Sequence, residues 1–393
     1  MQRVRSVAGG VLLACLGVLF GFVMIEATVR MLHLVQDRFW EPDPLLGVRH
    51  IRGKSGWWTQ EDHEFRVPVQ MNAHGLRDVD HAYAKPVGRA RVLVLGDSFV
   101  EALQVPLEQS LGRRLATILG DRFEVISAGV SGYGTASQSL FLQTEGWRYD
   151  PDIVVVAFFP GNDVKNNSPT MEDIIPPVYD AEGNLQRVSS PFGGDPSVWQ
   201  TRKSWRDRSD AYRFTRQILL QHPALAGPLH RWGVLGADKP LQPHERDGVP
   251  IDYEVFGTEP SAEWQAAWDH TFHLLADIRA SVQQHGRRLL VVVIPPRYLV
   301  YPAWWGEVLA SHPAMSGRAW DVSGPTKRIV EWCARQAIAC LDLAPVFIAA
   351  AHHSTPLYFH HDGHWTVAGH ELAAQTLTRF LRTEHLVSEP LPN

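Results

Sequence analysis

Short apolar runs alternate along the chain with stretches of helical periodicity. Five apolar runs typical of buried parallel strands lie at 92–95, 123–126, 152–159, 288–294 and 338–341. Helical spacing of apolar residues predicts helices at 106–120, 135–146, 262–285 and 366–382, and one more through Cys333. Strands that alternate with helices favour the α/β class, because right-handed crossovers place helices on both faces of a parallel sheet. We therefore predict a doubly wound parallel sheet sandwiched by helices.

The first thirty residues follow a different pattern. Arg3 and Arg5 precede an uncharged run from Ser6 to Ile25, and Glu26 and Arg30 end it. The run is long enough to span a bilayer, and the positive charge on its amino side favours a cytoplasmic amino terminus. We predict an uncleaved single-pass anchor (1–30) in the inner (cytoplasmic) membrane, with the rest of the chain periplasmic. A cleaved signal peptide is the alternative interpretation.

Two further segments lack the strand–helix pattern. One precedes the predicted α/β domain, residues 91–385, and the other interrupts it. Residues 31–90, called the lead-in below, read as a juxtamembrane segment followed by a small β-rich part. Residues 164–260, called the insertion below, are rich in Pro, Trp, Arg and Asp and have few periodic runs. Loops of this length are usually functional or mobile. Because the insertion follows the third strand, we expect it to fold over the carboxyl edge of the sheet.

The net charge bears on the possible partners of the chain, and the cysteines bear on its disulfide bonding. The net charge of the 393-residue chain is −5, so nothing indicates a nucleic-acid partner. The chain has three cysteines, of which Cys15 lies in the predicted anchor. Cys333 and Cys340 could form a disulfide in an oxidising compartment, or they could be two buried thiols. The sequence leaves both interpretations open.

Polar residues follow four of the predicted strands. Ser98 comes directly after the first strand, Gly129 after the second, Asn162 after the third, and Asp362 with His364 after the last. In a doubly wound sheet these loops meet over the carboxyl edge. We therefore expect a hydroxyl, a backbone N–H, an amide and an Asp/His pair at one place.

These groups suit acyl transfer. A neutral serine is a weak nucleophile, so Ser98 needs a base, and His364 can act as one near neutral pH. Asp362 would orient the imidazole and stabilise the imidazolium. The N–H groups of Ser98 and Gly129 and the amide of Asn162 could face the developing oxyanion. The set requires no cofactor and no metal.

Several histidines compete for the role of base. Alternate residues of an extended loop point the same way, so Asp362 and His364 can face the sheet edge together while His361 points away. His370 follows on the last helix, where a side chain packs or meets solvent. The alternative is a metal cluster of His360, His361, Asp362 and His364, which would leave Ser98 unexplained.

These motifs resemble the SGNH hydrolase superfamily, also called GDSL-like esterases. The resemblance covers about 90–165 and 288–382, and the lead-in run 72–78 is similar to membrane-anchored bacterial members. It implies Ser98 as nucleophile, His364 as base with Asp362, and Asn162 as an oxyanion donor. The matching positions are Gly96-Asp97-Ser98, Gly129, Gly161-Asn162-Asp163, Asp362 and His364. We interpret Asp97 and Asp163 as carboxylates that brace the loops.

Two departures bear on the substrate. Members more often carry Asp three residues before His, whereas Asp362-Gly363-His364-Trp365 resembles the alginate acetyltransferase branch. Ser127 stands where many members carry Asn. We predict a periplasm-facing serine esterase or acetyltransferase acting on an acylated carbohydrate or cell-envelope polymer. The alternatives are a lipase or thioesterase for longer acyl chains, and a non-catalytic polysaccharide-binding or assembly component.

Three residues could line a sugar pocket. Arg297 follows the fourth core strand, and Trp304 and Trp305 come shortly after it. Packing at the edge of the core is the competing interpretation. The sequence does not separate the two.

Overall fold

A computed structural model describes most of the chain. The described residues are 2–32, 35–43, 45–60, 64–168, 171, 178–179, 185–186, 209–220, 222, 229, 245–352 and 355–387. The chain forms two compact units. One comprises Met1–Asp37 with Asp195–Gln242, and the other comprises Arg38–Gly194 with Pro243–Asn393.

Strands and helices are numbered in chain order. The strands are β1 Trp40–Asp43, β2 Gly47–His50, β3 Ser55–Thr59, β4 Arg66–Gln70, β5 Ala90–Gly96, β6 Phe123–Gly129, β7 Ile153–Phe158, β8 Val178–Tyr179, β9 Leu185–Gln186, β10 Glu245–Arg246, β11 Val249–Pro250, β12 Arg288–Val293 and β13 Ala339–Asp342. The α-helices are α1 Gln2–Met31, α2 Ser98–Glu101, α3 Leu111–Leu119, α4 Thr135–Thr144, α5 Asp210–Leu220, α6 Ile251–Glu254, α7 Ala262–Gln284, α8 Arg297–Val300, α9 Pro302–Ser311, α10 Gly324–Arg335, α11 Ala344–Ala350 and α12 Val367–Thr383. Short 3-10 turns occur at Leu107–Gln109, Gly146–Tyr149, Lys165–Asn167 and Pro313–Met315.

A five-stranded parallel sheet is the centre of the second unit. Its strand order is β13-β12-β7-β5-β6, with every neighbouring pair parallel. Read from the other edge, this is the 2-1-3-4-5 order of doubly wound folds, which confirms the predicted fold class. The strand order reverses between β5 and β7. Ligands bind at such a switch point, beyond the carboxyl ends of the strands, and Ser98 follows β5 there.

Alternate strand residues pack on opposite faces of the sheet. Val92 and Val94 belong to one apolar core with residues of α3, α11 and α12. Leu93 and Leu95 belong to a second core with residues of α4, α7 and α10. Covering both faces buries apolar surface on each side, which explains why the strand sequences are almost continuously apolar.

Two predicted element boundaries differ from the structure by three residues or more, whereas the others differ by at most two. The second strand continues beyond Ile126 to Gly129, because Ser127 pairs with Val94 and donates its N–H to Asp78 at 2.8 Å. The predicted helix 106–120 is divided at Ser110, whose extended backbone (ψ 157°) ends a 3-10 turn and starts α3. Gly129 is therefore the last residue of a strand rather than part of a loop.

The lead-in adds two antiparallel ladders, β1 with β2 and β3 with β4. In β4 the residues alternate between exposed and buried. A small separate core forms from Phe39, Phe65, Val67, Val69, Met71 and Leu103. Since Leu103 lies just beyond α2, the lead-in packs directly against the segment that follows Ser98.

The first unit contains α1 and α5. Its stretch Leu12–Met31 is long and apolar enough to cross a membrane, as either a single-pass anchor or a signal sequence would be. The Glu26 carboxylate accepts hydrogen bonds from the Asp210 N–H (3.0 Å) and the Ala211 N–H (2.9 Å) at the start of α5. Because the first N–H groups of a helix lack intrahelical partners, Glu26 caps α5.

Only parts of the insertion lie among the described residues. Near its two ends, Val164, Ile251, Val255 and Phe256 are buried in the core that covers the α7 face of the sheet. The expectation that the insertion folds over the carboxyl edge falls largely outside the described residues.

The two cysteines of the α/β domain are free thiols. Cys333 is buried in the core, and Cys340 is partly buried beside it. The hydrogen bond with Cys333, together with burial, raises the pKa of Cys340. Of the two interpretations left open by the sequence, the structure has buried thiols.

Candidate active site

The turn that carries Ser98 is built by its own short-range contacts. β5 ends at Gly96, and the Asp97 side chain caps α2 by accepting the Phe99 N–H at 2.9 Å. Ser98 is the first residue of α2 and is 9% exposed. The helix ends after one turn at Ala102, whose φ of 57° is left-handed. The serine is thus presented at the end of a buried strand, by a rigid turn.

The structure brings Ser98, His364 and Asp362 together. His364 Nε2 lies 2.7 Å from Ser98 Oγ, and His364 Nδ1 lies 2.7 Å from Asp362 Oδ1. The loop before α12 is closed by a hydrogen bond from the Phe359 N–H to the His364 carbonyl (2.8 Å). Gly363 takes a φ of 87° within this loop, where a glycine is favoured. The spacing of two residues between Asp and His is therefore compatible with a direct hydrogen bond.

The charges around His364 favour its protonated form. Burial alone lowers its pKa, but the hydrogen bond and charge of Asp362, with the charges of Asp97 and Glu101, raise the pKa above its ordinary value. Burial alone raises the pKa of Asp362, and the contacts with His364 lower it below the ordinary value. An ionised Asp362 beside a readily protonated imidazole is the electrostatic arrangement that a general base requires.

The other nearby histidines lie in different environments. His370 is buried against Trp365, and burial, with the charges of Arg77 and His364, lowers its pKa to about 3. His360 and His361 are exposed to solvent. Among the described residues, no group of three or more His, Cys, Asp or Glu side chains could hold a metal ion.

Two buried carboxylates lie behind Ser98. Burial raises the pKa of Asp97 to about 6, against the opposing effects of the Phe99 N–H, His364 and the Asn162 amide. Burial and the charge of Asp97 raise the pKa of Asp163 well above its ordinary value. Asp163 accepts the Phe159 N–H at 3.0 Å and so closes the third loop. The Asn162 amide is hydrogen-bonded to Asp97, which holds it close to the turn that carries Ser98.

Gly129 packs directly beneath that turn. A Cβ added to it would lie 2.4 Å from the Glu101 nitrogen and 2.7 Å from the Asp97 carbonyl oxygen. Only glycine fits so close to backbone. The sequence analysis named its N–H as an oxyanion donor, and that role stays a prediction. Close packing against α2 by itself explains why a glycine occupies position 129.

The three residues proposed to line a sugar pocket have different partners in the structure. Arg297 donates from Nη1 to the His360 carbonyl at 2.7 Å and so binds the loop that carries His364. Trp305 packs in an aromatic cluster with Phe256 and Trp320. Trp304 is partly exposed and makes an edge contact with His360, 4.6 Å between ring centroids. Trp304 and Trp305 are both partly exposed, and Trp304 also stacks on Tyr301 with 4.4 Å between ring centroids, so the sugar-pocket role of the three residues stays a prediction.

Sequence reasoning missed the groups that brace α2 from the lead-in. Arg77 donates from Nη1 to the carbonyls of Glu101 (2.9 Å) and Ala102 (2.5 Å). The buried Glu101 carboxylate accepts the Trp40 indole N–H at 2.9 Å and lies 2.5 Å from His50 Nε2. Arg77 lies in the run 72–78, which resembles membrane-anchored members of the SGNH superfamily. That resemblance was the one feature of the sequence that could have marked Arg77. Nothing in the local pattern marked Glu101 or His50.

Residues 255–391 match the family described as the SGNH hydrolase-like domain of acetyltransferase AlgX. No curated protein matches the chain. Similar solved structures include a GDSL-like lipase from Bacteroides thetaiotaomicron, 13% identical, TM-score 0.35, covering 77% of this chain and 93% of the lipase. TesA is 15% identical, TM-score 0.36, covering 75% and 98%. An acetyl xylan esterase, AlAXEase, is 12% identical, TM-score 0.36, covering 73% and 97%. Likeness at this distance carries no argument about activity.

The family match covers the part of the chain that contains β12, β13 and the loop with Asp362 and His364. The strand order 2-1-3-4-5 supplies the rest of the fold and brings Ser98 to the same edge. Within the α/β domain, residues 255–391 are thus similar to the SGNH hydrolase-like domain of acetyltransferase AlgX.

Proposed function

We propose that the chain is a serine esterase or acetyltransferase in which Ser98, His364 and Asp362 act as a triad. The observation that carries the proposal is the continuous pair of 2.7 Å contacts from Ser98 Oγ through the imidazole to Asp362. The family match over residues 255–391 supports ester-bond or acyl-transfer chemistry in general. In this proposal the carboxyl edge of the sheet supplies a nucleophile, a base and oxyanion donors, and the reaction needs no cofactor.

The proposed reaction has two acyl-transfer steps. His364 Nε2 takes the Ser98 proton as Oγ attacks the acyl carbonyl, and the imidazolium then protonates the departing alcohol. Water or an acceptor hydroxyl next gives its proton to His364 and attacks the acyl-serine. The acyl–Oγ bond then breaks, and the imidazolium returns the proton to Ser98 Oγ. The N–H groups of Ser98 and Gly129 and the Asn162 amide stabilise the oxyanion, where loss of one donor typically costs ~100- to 1000-fold in rate.

We further propose an acetyl ester on a carbohydrate or cell-envelope polymer as substrate, and a periplasmic site. The acetyl group is suggested by the acetyltransferase family that residues 255–391 match. The location is suggested by Arg3 and Arg5 on the amino side of an apolar helix. A partly exposed Trp304 beside the loop suits a sugar ring.

The test compares p-nitrophenyl esters of increasing chain length with acetylated glycans, using wild type and Ser98→Ala. We expect short-chain turnover, and acetate release or acetyl movement detected by mass spectrometry, all of it lost in Ser98→Ala. A preference for long acyl chains would instead support a lipase or thioesterase. Glycan binding without acyl turnover would support a non-catalytic assembly component.

A further inference from the structure

The loop of residues 359–364 carries both Asp362 and His364. Its backbone N–H groups at three successive residues converge on one side chain of the lead-in, Glu64. Glu64 Oε1 accepts from His360 (2.8 Å) and His361 (3.1 Å), and Oε2 accepts from His361 (3.2 Å) and Asp362 (2.9 Å). A single carboxylate thus binds the backbone directly before the pair.

The opposite polar groups of the same peptide units are also bound. Arg297 Nη1 donates to the carbonyls of His360 (2.7 Å) and His361 (3.3 Å). Beside the carboxylate, the Phe65 ring packs on Phe359 with 5.0 Å between centroids. An acid and a guanidinium therefore hold one short loop from its N–H side and its C=O side.

The hydrogen bonds from Glu64 and Arg297 are needed to fix this loop because it lies at the surface. His360 and His361 are exposed, so few apolar contacts fix the backbone there. Hydrogen bonds to an ionised carboxylate are shorter and stronger than neutral ones. Misplacement of a catalytic group by ~1 Å can cost ~100-fold in rate. The direction of the Asp362 and His364 side chains therefore depends on what holds residues 360–362.

We propose that Glu64 is a positioning residue for the Asp362–His364 pair, so that the lead-in forms part of the active site. Glu64 touches no reacting atom and acts through the backbone of residues 360–362. The inference rests on the proposed triad. It adds that the α/β sheet alone does not complete the site, because the loop that carries the base is bound by a residue outside the sheet.

The test uses Glu64→Gln in the full-length chain. The amide NH₂ cannot accept a hydrogen bond, so the loop loses the charge and at least one N–H partner. We expect kcat on a small ester to fall roughly 10- to 100-fold with KM within about twofold. The acidic limb of the pH profile of kcat should also move to lower pH. In wild type the contact with Asp362 raises the pKa of His364, and a weaker contact would raise it less.

The matched control is Glu41→Gln. Glu41 lies in the same lead-in, pairs with Arg49 at 3.0 Å, and belongs to strand β1, away from the loop. It should leave kcat and the acidic limb as in wild type. If Glu64→Gln behaves like Glu41→Gln, the proposal is wrong.

Amide hydrogen exchange tests the contact without relying on turnover or on the variant's stability. In wild type the amides of 360, 361 and 362 should be protected despite their exposed side chains, and Glu64→Gln should lose that protection. Fast exchange of these amides in wild type would overturn the proposal. If wild type shows protection but no Ser98-dependent turnover, the proposed function fails while the role of Glu64 in holding the loop stands.

Discussion

His364 faces more negative charge than its hydrogen bond to Asp362 alone provides. The charges of Asp97 and Glu101 also raise its pKa, although burial acts in the opposite direction. A general base works in its neutral form, so activity should increase as pH rises through this elevated pKa. We therefore expect the carboxylates around His364 to influence the pH range of activity.

This makes the pH profile of Asp362→Asn informative. Without the carboxylate the pKa of His364 is raised less, so the acidic limb should lie at lower pH than in wild type while maximal turnover falls. Measuring kcat of a small ester between pH 5 and 9 for both proteins would check this. An unchanged limb with normal folding would show that Asp362 does not influence the base.

Loss of Ser98 or His364 should be equally severe. Ser98→Ala and His364→Ala should each cost on the order of 10⁴-fold or more in turnover, and the double variant little more, because the two act as a unit. His361→Ala is the control on the same loop and should cost far less. A fluorophosphonate probe should label wild type and spare Ser98→Ala. If His361→Ala were as damaging as His364→Ala, the base would be misassigned.

Asp163 illustrates how the site costs stability. Its folded-state pKa is raised by burial and by the charge of Asp97, above an ordinary value of 3.8. As pH rises above 3.8, the unfolded state loses this proton before the folded state does, so the free energy of unfolding falls. Asp163→Asn should therefore raise the unfolding temperature at pH 7 by about 2 °C or more. The gain should shrink near pH 4.

The control for this measurement is Asp121→Asn, since Asp121 is exposed to solvent. Its unfolding temperature should follow wild type at both pH values. A destabilised Asp163→Asn at pH 7 would mean that the hydrogen bond to the Phe159 N–H outweighs the cost of the buried charge.

Helix α2 shows how an element of one turn can be held rigidly. It follows β5, rests on Gly129 at the end of β6, and receives Arg77 at its carboxyl end. Each contact comes from a different part of the chain. The orientation of Ser98 is therefore set by neighbours of α2 more than by the helix itself, which is too short to be stable alone.

Gly129→Ala tests this dependence. The new Cβ would lie 2.4 Å from the Glu101 nitrogen, so α2 or β6 must shift. We expect a large loss of turnover together with a lower unfolding temperature. Gly306→Ala, in the interior of α9 with no atom within 4 Å of the new Cβ, should be neutral or slightly stabilising. Normal activity in Gly129→Ala would contradict the packing role.

The loops at the carboxyl edge depend on the sheet as a whole. The 2-1-3-4-5 order brings residues 98 and 364 from nearly opposite ends of the domain sequence to the same edge. The lead-in then adds Glu64 and Arg77 to that edge, although it is not part of the sheet. We therefore expect a chain that lacks the lead-in to differ from wild type in activity as well as in folding.

The orientation of the chain in a membrane is a separate expectation. Leu12–Met31 can cross a bilayer, and Arg3 and Arg5 precede it, so the carboxyl terminus should be outside the cytoplasm. A phosphatase reporter fused after Asn393 should be active. An inactive phosphatase, with a cytoplasmic reporter active at the same position, would reverse the topology.

Local pattern determined the strands, the main helices and the order of the loops. Runs such as 92–95 and 288–294 are apolar because both faces of a doubly wound sheet are covered, and that requirement is visible in a single sequence. Ser98 and Asn162 could be named because they lie within a few residues of a strand end, and Asp362 and His364 because they match the last motif beyond the final strand. Their catalytic roles stay predictions.

Tertiary structure alone decided which side chains hold those loops. Glu64, Glu101 and His50 contact partners far away in the sequence, and no periodicity marks a carboxylate that will bind three backbone N–H groups. The same cause explains why Arg297 binds a loop carbonyl, while Trp304 packs on His360 and Trp305 joins an aromatic cluster. Patterns along the chain report burial and strand order, whereas long-range polar contacts depend on distances that exist only after folding.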